Sequence, residues 1–316
     1  MIDRRTFLGV LGGAGAYLAT PRVLSASRAL RASSAYVERW SWAMGQSVVL
    51  RLFAESEARG YAAAQAAFAE LRRVEGVLSR FDRGSDLSAL NDRAGRGPVR
   101  VDQDLVRVLT IAEGLRRRTA GAFDPAIEPV MRAWGFHAER RAAPTVQELD
   151  DARQAVGAAR VRIEGDRVAL DGRGSALDLG GIGVGYGLDR AGAVLRRAGV
   201  VAAFLDVSGD CLAIGAPPGE RGWRVDLADP GRRGASTGTV CLKDAALATS
   251  ANTEETLRWR GRLVGHVMDP HTARPAERVR QVTVEGPSGV LADAWSTALL
   301  VAAVPLPAGC RAHVVA

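Results

Sequence analysis

With 316 residues, 47% of them apolar and 24% charged, the chain suits one large folded domain or two small ones and is not disordered as a whole. Its formal charge is +7, yet every basic residue but Lys243 is arginine, and these are scattered among acids with few aromatics between them. That distribution argues against nucleic-acid binding, which needs cations gathered on one face and rings for base stacking.

The N-terminus carries a twin-arginine pattern, Asp3-Arg4-Arg5-Thr6-Phe7-Leu8-Gly9, ahead of a weakly apolar run from Val10 to Ala19. The run is too short to span a bilayer. Gly9, Gly12, Gly13 and Gly15 would each weaken an ordinary helix by about 1 kcal/mol relative to alanine. Residues 1–29 therefore read as an export signal, with Ser27-Arg28-Ala29 or Ala26 at the cleavage point. The expectation is a periplasmic protein carried folded by the twin-arginine export machinery, or held at the membrane if the signal is retained. Residues 30–316 then form a single domain, with 38 basic and 34 acidic residues and a charge of +4. Cys211, Cys241 and Cys310 are too few and too far apart for a metal knuckle; one disulfide is permitted, with no pair preferred.

In chain order, a strand is predicted over 45–54. A helix follows over 58–78, with Phe68, Leu71, Val74 and Leu78 at helical spacing. A second starts with Asp102 as N-cap, runs through Val106, Leu109 and Ile111, and stops before Gly121. Thr145-Val146-Gln147-Glu148 is a capping box that opens a helix over 146–156. Val161-Arg162-Ile163 and Arg167-Val168-Ala169-Leu170 flank Glu164-Gly165-Asp166 as a β-hairpin. A glycine-rich turn leads to a helix over 187–198 and a strand over 201–207. Short strands fill 210–286, broken by Pro217-Pro218 and Asp229-Pro230, and a last helix spans 289–303. Elements grouped without regular alternation predict an α+β fold, a mixed or antiparallel sheet packed with helices.

Polar, glycine-bearing segments stand between these elements, where site residues tend to lie. Ala43-Met44-Gly45, the stretch from Leu78 to Asn91, and Gly121-Ala122-Phe123-Asp124-Pro125 leading to Trp134-Gly135-Phe136 each have an ordinary reading as turns or core. The run from Asp178 to Gly187 could cradle a phosphate at a helix start. It is not a dinucleotide fingerprint, because the sixth position from Gly181, Gly183 or Gly185 is Tyr186, Leu188 or Arg190, and no Gly-Lys-Ser/Thr loop occurs. In Ala292-Asp293-Ala294-Trp295-Ser296-Thr297-Ala298, Asp293 and Thr297 share a helical face with Ser296 beside them. Hard oxygen ligands of that kind suit Mg²⁺; the plain alternative is an aspartate capped by neighbouring hydroxyls. His266 and His271 lack a third partner for zinc, and no Gly-x-Ser-x-Gly elbow is present.

Taken in order, these segments together with Ser208-Gly209-Asp210, Ala248-Thr249-Ser250 and the run from His266 to Pro270 resemble the ApbE family of FAD:protein FMN transferases, from about Met44 to Leu299. The resemblance implies an α+β fold with FAD between sheet and helices. It implies FAD contacts at Met44, Phe81, Ala122, Phe123, Asp124, Asp178, Val184 and His266. Mg²⁺ ligands are implied at Gly181 (through its carbonyl), Asp293, Ser296 and Thr297, with Asp293 also the catalytic base. A threonine hydroxyl of an acceptor flavoprotein, itself an exported or membrane electron-transfer protein, would attack FAD, keep FMN and release AMP. Four positions depart from the family pattern: Val184 stands where relatives usually carry a charge, and Ser208, Ala251 and Ala273 stand where they have glycine. The competing expectations are an FAD-binding or scavenging protein without transfer, and a nicotinamide-linked dehydrogenase resting on the glycine turn alone.

Overall fold

The structure is a computed structural model that describes residues 34–137, 143–253, 256–259 and 262–316. The expected export signal lies outside the described residues. Strands β1 (Ala35–Ala43) and β2 (Gln46–Ala54) form a hairpin closed by Met44 and Gly45, at φ 58° and 69°. This is the two-residue turn whose twist matches paired strands. Helix α1 (Glu57–Leu78) starts at Ser56, whose hydroxyl accepts the Arg59 amide. It packs closely on the hairpin because a Cβ at Gly60 would lie 2.6 Å from Val37 Cγ2.

Next come α2 (Asp86–Asp92), β3 (Val99–Arg100), α3 (Gln103–Arg118), a 3₁₀ turn (Pro125–Ile127), α4 (Glu128–Trp134) and α5 (Val146–Ala158). The Asp102 carboxylate accepts the Asp104 amide at 2.7 Å to open α3, and Thr145 and Glu148 close the capping box of α5. The hairpin β4 (Arg160–Glu164) and β5 (Arg167–Asp171) joins β3 in a small sheet of order β3-β5-β4. Then follow α6 (Gly180–Arg197), β6 (Ala202–Val207), β7 (Asp210–Ile214), β8 (Trp223–Ala228), β9 (Ser236–Leu242) and β10 (Ala245–Ala251). The chain continues through β11 (Thr256–Trp259), β12 (Arg262–Gly265), β13 (Met268–Asp269), β14 (Arg274–Pro275), β15 (Gln281–Gly286), α7 (Gly289–Val301) and β16 (Arg311–Val315).

Seven strands build one antiparallel sheet in the order β1-β2-β6-β7-β10-β15-β16. Their period-two alternation divides the core. Val48, Leu50 and Leu52, Ala203, Leu205 and Val207, Leu212, Ala246 and Ala248, and Val282 and Val284 face the layer of α1, α6 and α7. Phe204, Ala213 and Leu247 point the other way, onto Trp223, Leu227 and Leu242 of the β8–β9 hairpin. The α+β expectation holds. The short elements α2, β3, α4 and β16 are additions to the sequence reading, and two longer stretches differ from it. β1 was not expected, because only Val37 and Ala43 of its nine residues are buried. The glycine-rich stretch is not a turn before a helix at 187 but the first turns of α6 itself, for a packing reason given next.

Candidate functional site

Helices α6 and α7 cross at two glycines. A Cβ on Gly185 would overlap the Gly289 carbonyl oxygen, and one on Gly289 would overlap that of Gly185, so the two backbones touch. Close packing against α7 thus outweighs the poor helix propensity of glycine. Every fourth residue of α6 then meets α7. Asp189 accepts the amides of Gly289 (2.7 Å) and Val290 (3.0 Å). Gly185 donates its amide to Asp293 Oδ2 (2.9 Å), and a Cβ at Gly181 would lie 2.9 Å from Thr297 Oγ1.

The last two of these contacts gather oxygens. Ser296 Oγ donates to the Asp293 carbonyl (2.8 Å) and lies 2.7 Å from Ser250 Oγ, which is 3.1 Å from Thr297 Oγ1. Gly181 leaves helical geometry (φ −87°, ψ 19°). The amide that an unbroken helix would aim at its carbonyl is the Gly185 amide that Asp293 receives. Asp293 is 5% exposed. Burial pushes its carboxyl up to about 7; the Gly185 amide opposes the shift and Asp189 adds to it. No described arginine, lysine or histidine forms an ion pair with it, so its charged form needs a cation from outside the protein. One carboxylate, a carbonyl and three hydroxyls form a hard-oxygen donor set that fits Mg²⁺. Ser250, in the Ala248-Thr249-Ser250 motif, joins the site without having been predicted as a ligand. Its signal was a hydroxyl continuing the inward row of Ala246 and Ala248 on β10.

The residues expected to touch FAD fall along the start of α6 and around it. The Asp178 carboxylate accepts the Gly180 amide (2.7 Å), while its own amide donates to the Pro125 carbonyl (2.8 Å). That ties Asp178 to the turn of Ala122, Phe123 and Asp124. Ala122 and Phe123 are buried, Phe123 lies against Gly181, and the Asp124 carboxylate accepts the Ala126 amide at 2.9 Å. Val184, half-buried, follows Gly181 along α6, and Met44 packs against Gly187. Phe81 is 77% exposed, its ring 4.3 Å from the Arg80 guanidinium carbon and edge-on to His137 at 5.7 Å. His266 meets the neighbouring Phe136 ring edge-on at 6.4 Å. His271 turns elsewhere, with Nε2 3.0 Å from the Ala120 carbonyl oxygen.

An ion-pair network beside Asp178 escaped the sequence reading. Glu128 Oε2 lies 2.6 Å from His137 Nδ1 and 3.2 Å from Arg80 Nε, and Arg132 reaches Glu128 Oε1 at 3.2 Å. His137 Nε2 is 3.7 Å from Asp178. Glu128, His137 and Asp178 are close enough to share a metal ion, but the two guanidinium groups already neutralise Glu128. Burial raises the Glu128 carboxyl, and the bond to His137 with the nearby arginines outweighs it, holding the group below its ordinary range. Asp178 moves up, because burial outweighs His137 and Arg80. The sequence signal was a pair of charges at i, i+4, Glu128 and Arg132, inside the otherwise apolar stretch from Pro125 to Trp134. Ser208 and Ala273, two of the departures from the family pattern, adopt φ 48° and 54°, so the chain keeps the left-handed turns that glycine favours.

Fold and geometry define an α+β protein with a buried carboxylate and three hydroxyls gathered where two helices cross at a glycine-rich helix start. The chain belongs to the ApbE family, whose pattern matches residues 44–306. It is 33% identical over 222 residues to an FAD:protein FMN transferase of Rhodobacter capsulatus, covering 69% of this chain and 42% of that protein, so this chain spans under half its length. It is 29% identical over 258 residues to the enzyme of the same name from Treponema pallidum, covering 76% and 71%. Among solved structures it resembles the ApbE protein of Thermotoga maritima, with a TM-score of 0.78, 29% identity and 84% and 87% of the two chains covered. The flavin transferase ApbE of Vibrio cholerae, at 24% identity and a TM-score of 0.75 over 90% and 98% of the chains, shares the fold.

Proposed function

We propose that this chain is an FAD:protein FMN transferase that uses Mg²⁺ at the α6–α7 crossing. The observation that carries the reading is Asp293, a buried carboxylate with no partner cation among the described residues, set among Ser250, Ser296 and Thr297. Gly181 through its carbonyl, Asp293, Ser296 and Thr297 would hold the metal, with Ser250 orienting the two hydroxyls. A Mg²⁺ ion held there would neutralise charge on the pyrophosphate oxygens. Met44, Phe81, Ala122, Phe123, Asp124, Asp178, Val184 and His266 would contact the flavin nucleotide. The threonine oxygen of the acceptor bonds to the FMN-side phosphorus, the bond from that phosphorus to the bridging oxygen breaks, and AMP leaves with that oxygen. The threonine proton passes to Asp293, whose Oδ2 is held by the Gly185 amide.

Incubation with FAD, Mg²⁺ and a flavoprotein acceptor should give a covalently fluorescent acceptor and free AMP. Bound FAD with neither product would leave a flavin-binding protein without transfer. The Arg4-Arg5 pair supports periplasmic delivery by the twin-arginine route. Lys-Lys substitution there should hold the precursor in the cytoplasm, and normal export of that variant would contradict the route.

A further inference from the structure

β1 is an open edge of the large sheet: among the described residues it pairs only with β2. The two-residue turn makes Ala43 and Gln46 a hydrogen-bonded pair, so alternation aims the backbone groups of Trp42, Trp40, Glu38 and Tyr36 at the open side. Edges nine residues long are normally shortened, bulged, broken by proline or covered. Among the described residues none of these devices is seen, and Trp40 and Trp42 are 82% and 60% exposed. Alongside runs α1, held close by Gly60.

Between the edge and α1 lies a groove of about 300 Å³, lined by Arg39, Ser41, Tyr61, Gln65, Phe68 and Arg72 together with Trp40. Phe68 is buried and apolar at its base. Arg39 lies over the Tyr61 ring at 5.5 Å, and Arg72 Nη1 donates to Ser41 Oγ at 3.2 Å. No carboxylate lines the groove, and neither arginine forms an ion pair with a described carboxylate. The strand ends at Met44, which packs on α6 at the flavin site.

We propose that an extended, acidic segment of the acceptor protein adds to β1 as a further strand. Its backbone pairs with the open groups of Trp40 and Trp42, and its carboxylates meet Arg39 and Arg72. Strand addition of this kind draws affinity from main-chain hydrogen bonds and selectivity from alternate side chains. An acceptor anchored there has its continuing chain beside Met44, at the entrance to the site where its threonine reacts. The acceptor's identity as partner rests on the transferase reading; the groove and its charge do not.

The test uses fluorescein-labelled nine-residue peptides and the full chain without FAD. One alternates valine and glutamate, a second has lysine for glutamate, and a third is the acidic peptide with alternate amides N-methylated. The acidic peptide should bind at least about tenfold more tightly than either of the others. The double variant Arg39→Glu, Arg72→Glu should lose about tenfold or more in that binding while FAD affinity and melting temperature stay unchanged. Hydrogen exchange at the Trp40 and Trp42 amides should slow when the acidic peptide is bound. An acidic peptide that does not bind, or that binds the charge-reversed chain equally well, would overturn the docking site. Because the readout needs no turnover, a chain that binds the peptide but transfers no flavin contradicts only the transferase reading. Undiminished transfer by the charge-reversed chain contradicts only the docking.

Discussion

Glu128 and Asp293 are both buried carboxylates close to the start of α6, at 3% and 5% exposure, and they are neutralised in opposite ways. Glu128 is ringed by Arg80, Arg132 and His137, which hold its carboxyl below the ordinary range. Asp293 receives one backbone amide, sits near neutral hydroxyls, and is pushed up to about 7. A carboxylate with resident cations is a fixed structural part. One supplied only with neutral oxygen donors is arranged for an ion that comes and goes. The Glu128 network therefore holds Asp178 and the Arg80–Phe81 pair in place, while Asp293 is the carboxylate that the proposed chemistry draws on.

The largest expected effect is on the fixed side. Glu128→Ala would strand the Arg80 charge in the interior and should cost about 3–5 kcal/mol in denaturant unfolding. Replacing Arg80 and Glu128 together with methionine should cost far less, since the buried guanidinium leaves with its partner and the charge left behind, Arg132, is 61% exposed. Equal losses for the single and double variants would break the comparison.

Next in size, Asp293→Asn keeps an acceptor for the Gly185 amide but removes the charge. AMP release in Mg²⁺ should fall about 10²-fold or more, equivalent to about 2.7 kcal/mol of barrier, with the melting temperature unchanged or slightly raised. Loss of flavin binding and melting temperature together would make Asp293 a structural residue like Glu128.

The contrast between the two sites was half visible in the sequence. Asp293, Ser296 and Thr297 stand together at helical spacing, so local periodicity brings them to one face. The rest of that site depends on long-range packing. Gly185 and Gly289 look like flexible residues until the helices are crossed, and Asp189 caps α7 from a hundred residues away. The Glu128 network joins Arg80, Glu128, His137 and Asp178 from four separate segments, with no spacing to mark them. β1 was hidden for a different reason: a strand at a sheet edge that buries two residues has little hydrophobic alternation to read.

The smallest effect concerns the glycine departures. Ser208 is held at φ 48°, where a side chain costs about 1–2 kcal/mol. Ser208→Gly should stabilise the chain by about 1 kcal/mol or less, because the substitution also removes the 3.2 Å contact between the Ser208 and Ser47 hydroxyls. Destabilisation would show that the serine is needed for more than the turn.

The assignment of Asp293 to the metal is tested most directly by melting the parent chain and Asp293→Asn, each with and without Mg²⁺, at about pH 5 and about pH 8. A carboxyl raised from 3.8 to about 7 in the fold binds its proton more tightly there than in the unfolded chain. It therefore costs stability progressively as pH rises from about 4 to about 7, and the cost is complete above that. Mg²⁺ competes with that proton and compensates the charge, so it should raise the parent's melting temperature more at pH 8 than at pH 5. The Asn variant should show little Mg²⁺ response at either pH. Equal Mg²⁺ shifts at both pH values in the parent, or an undiminished shift in Asp293→Asn, would contradict the assignment.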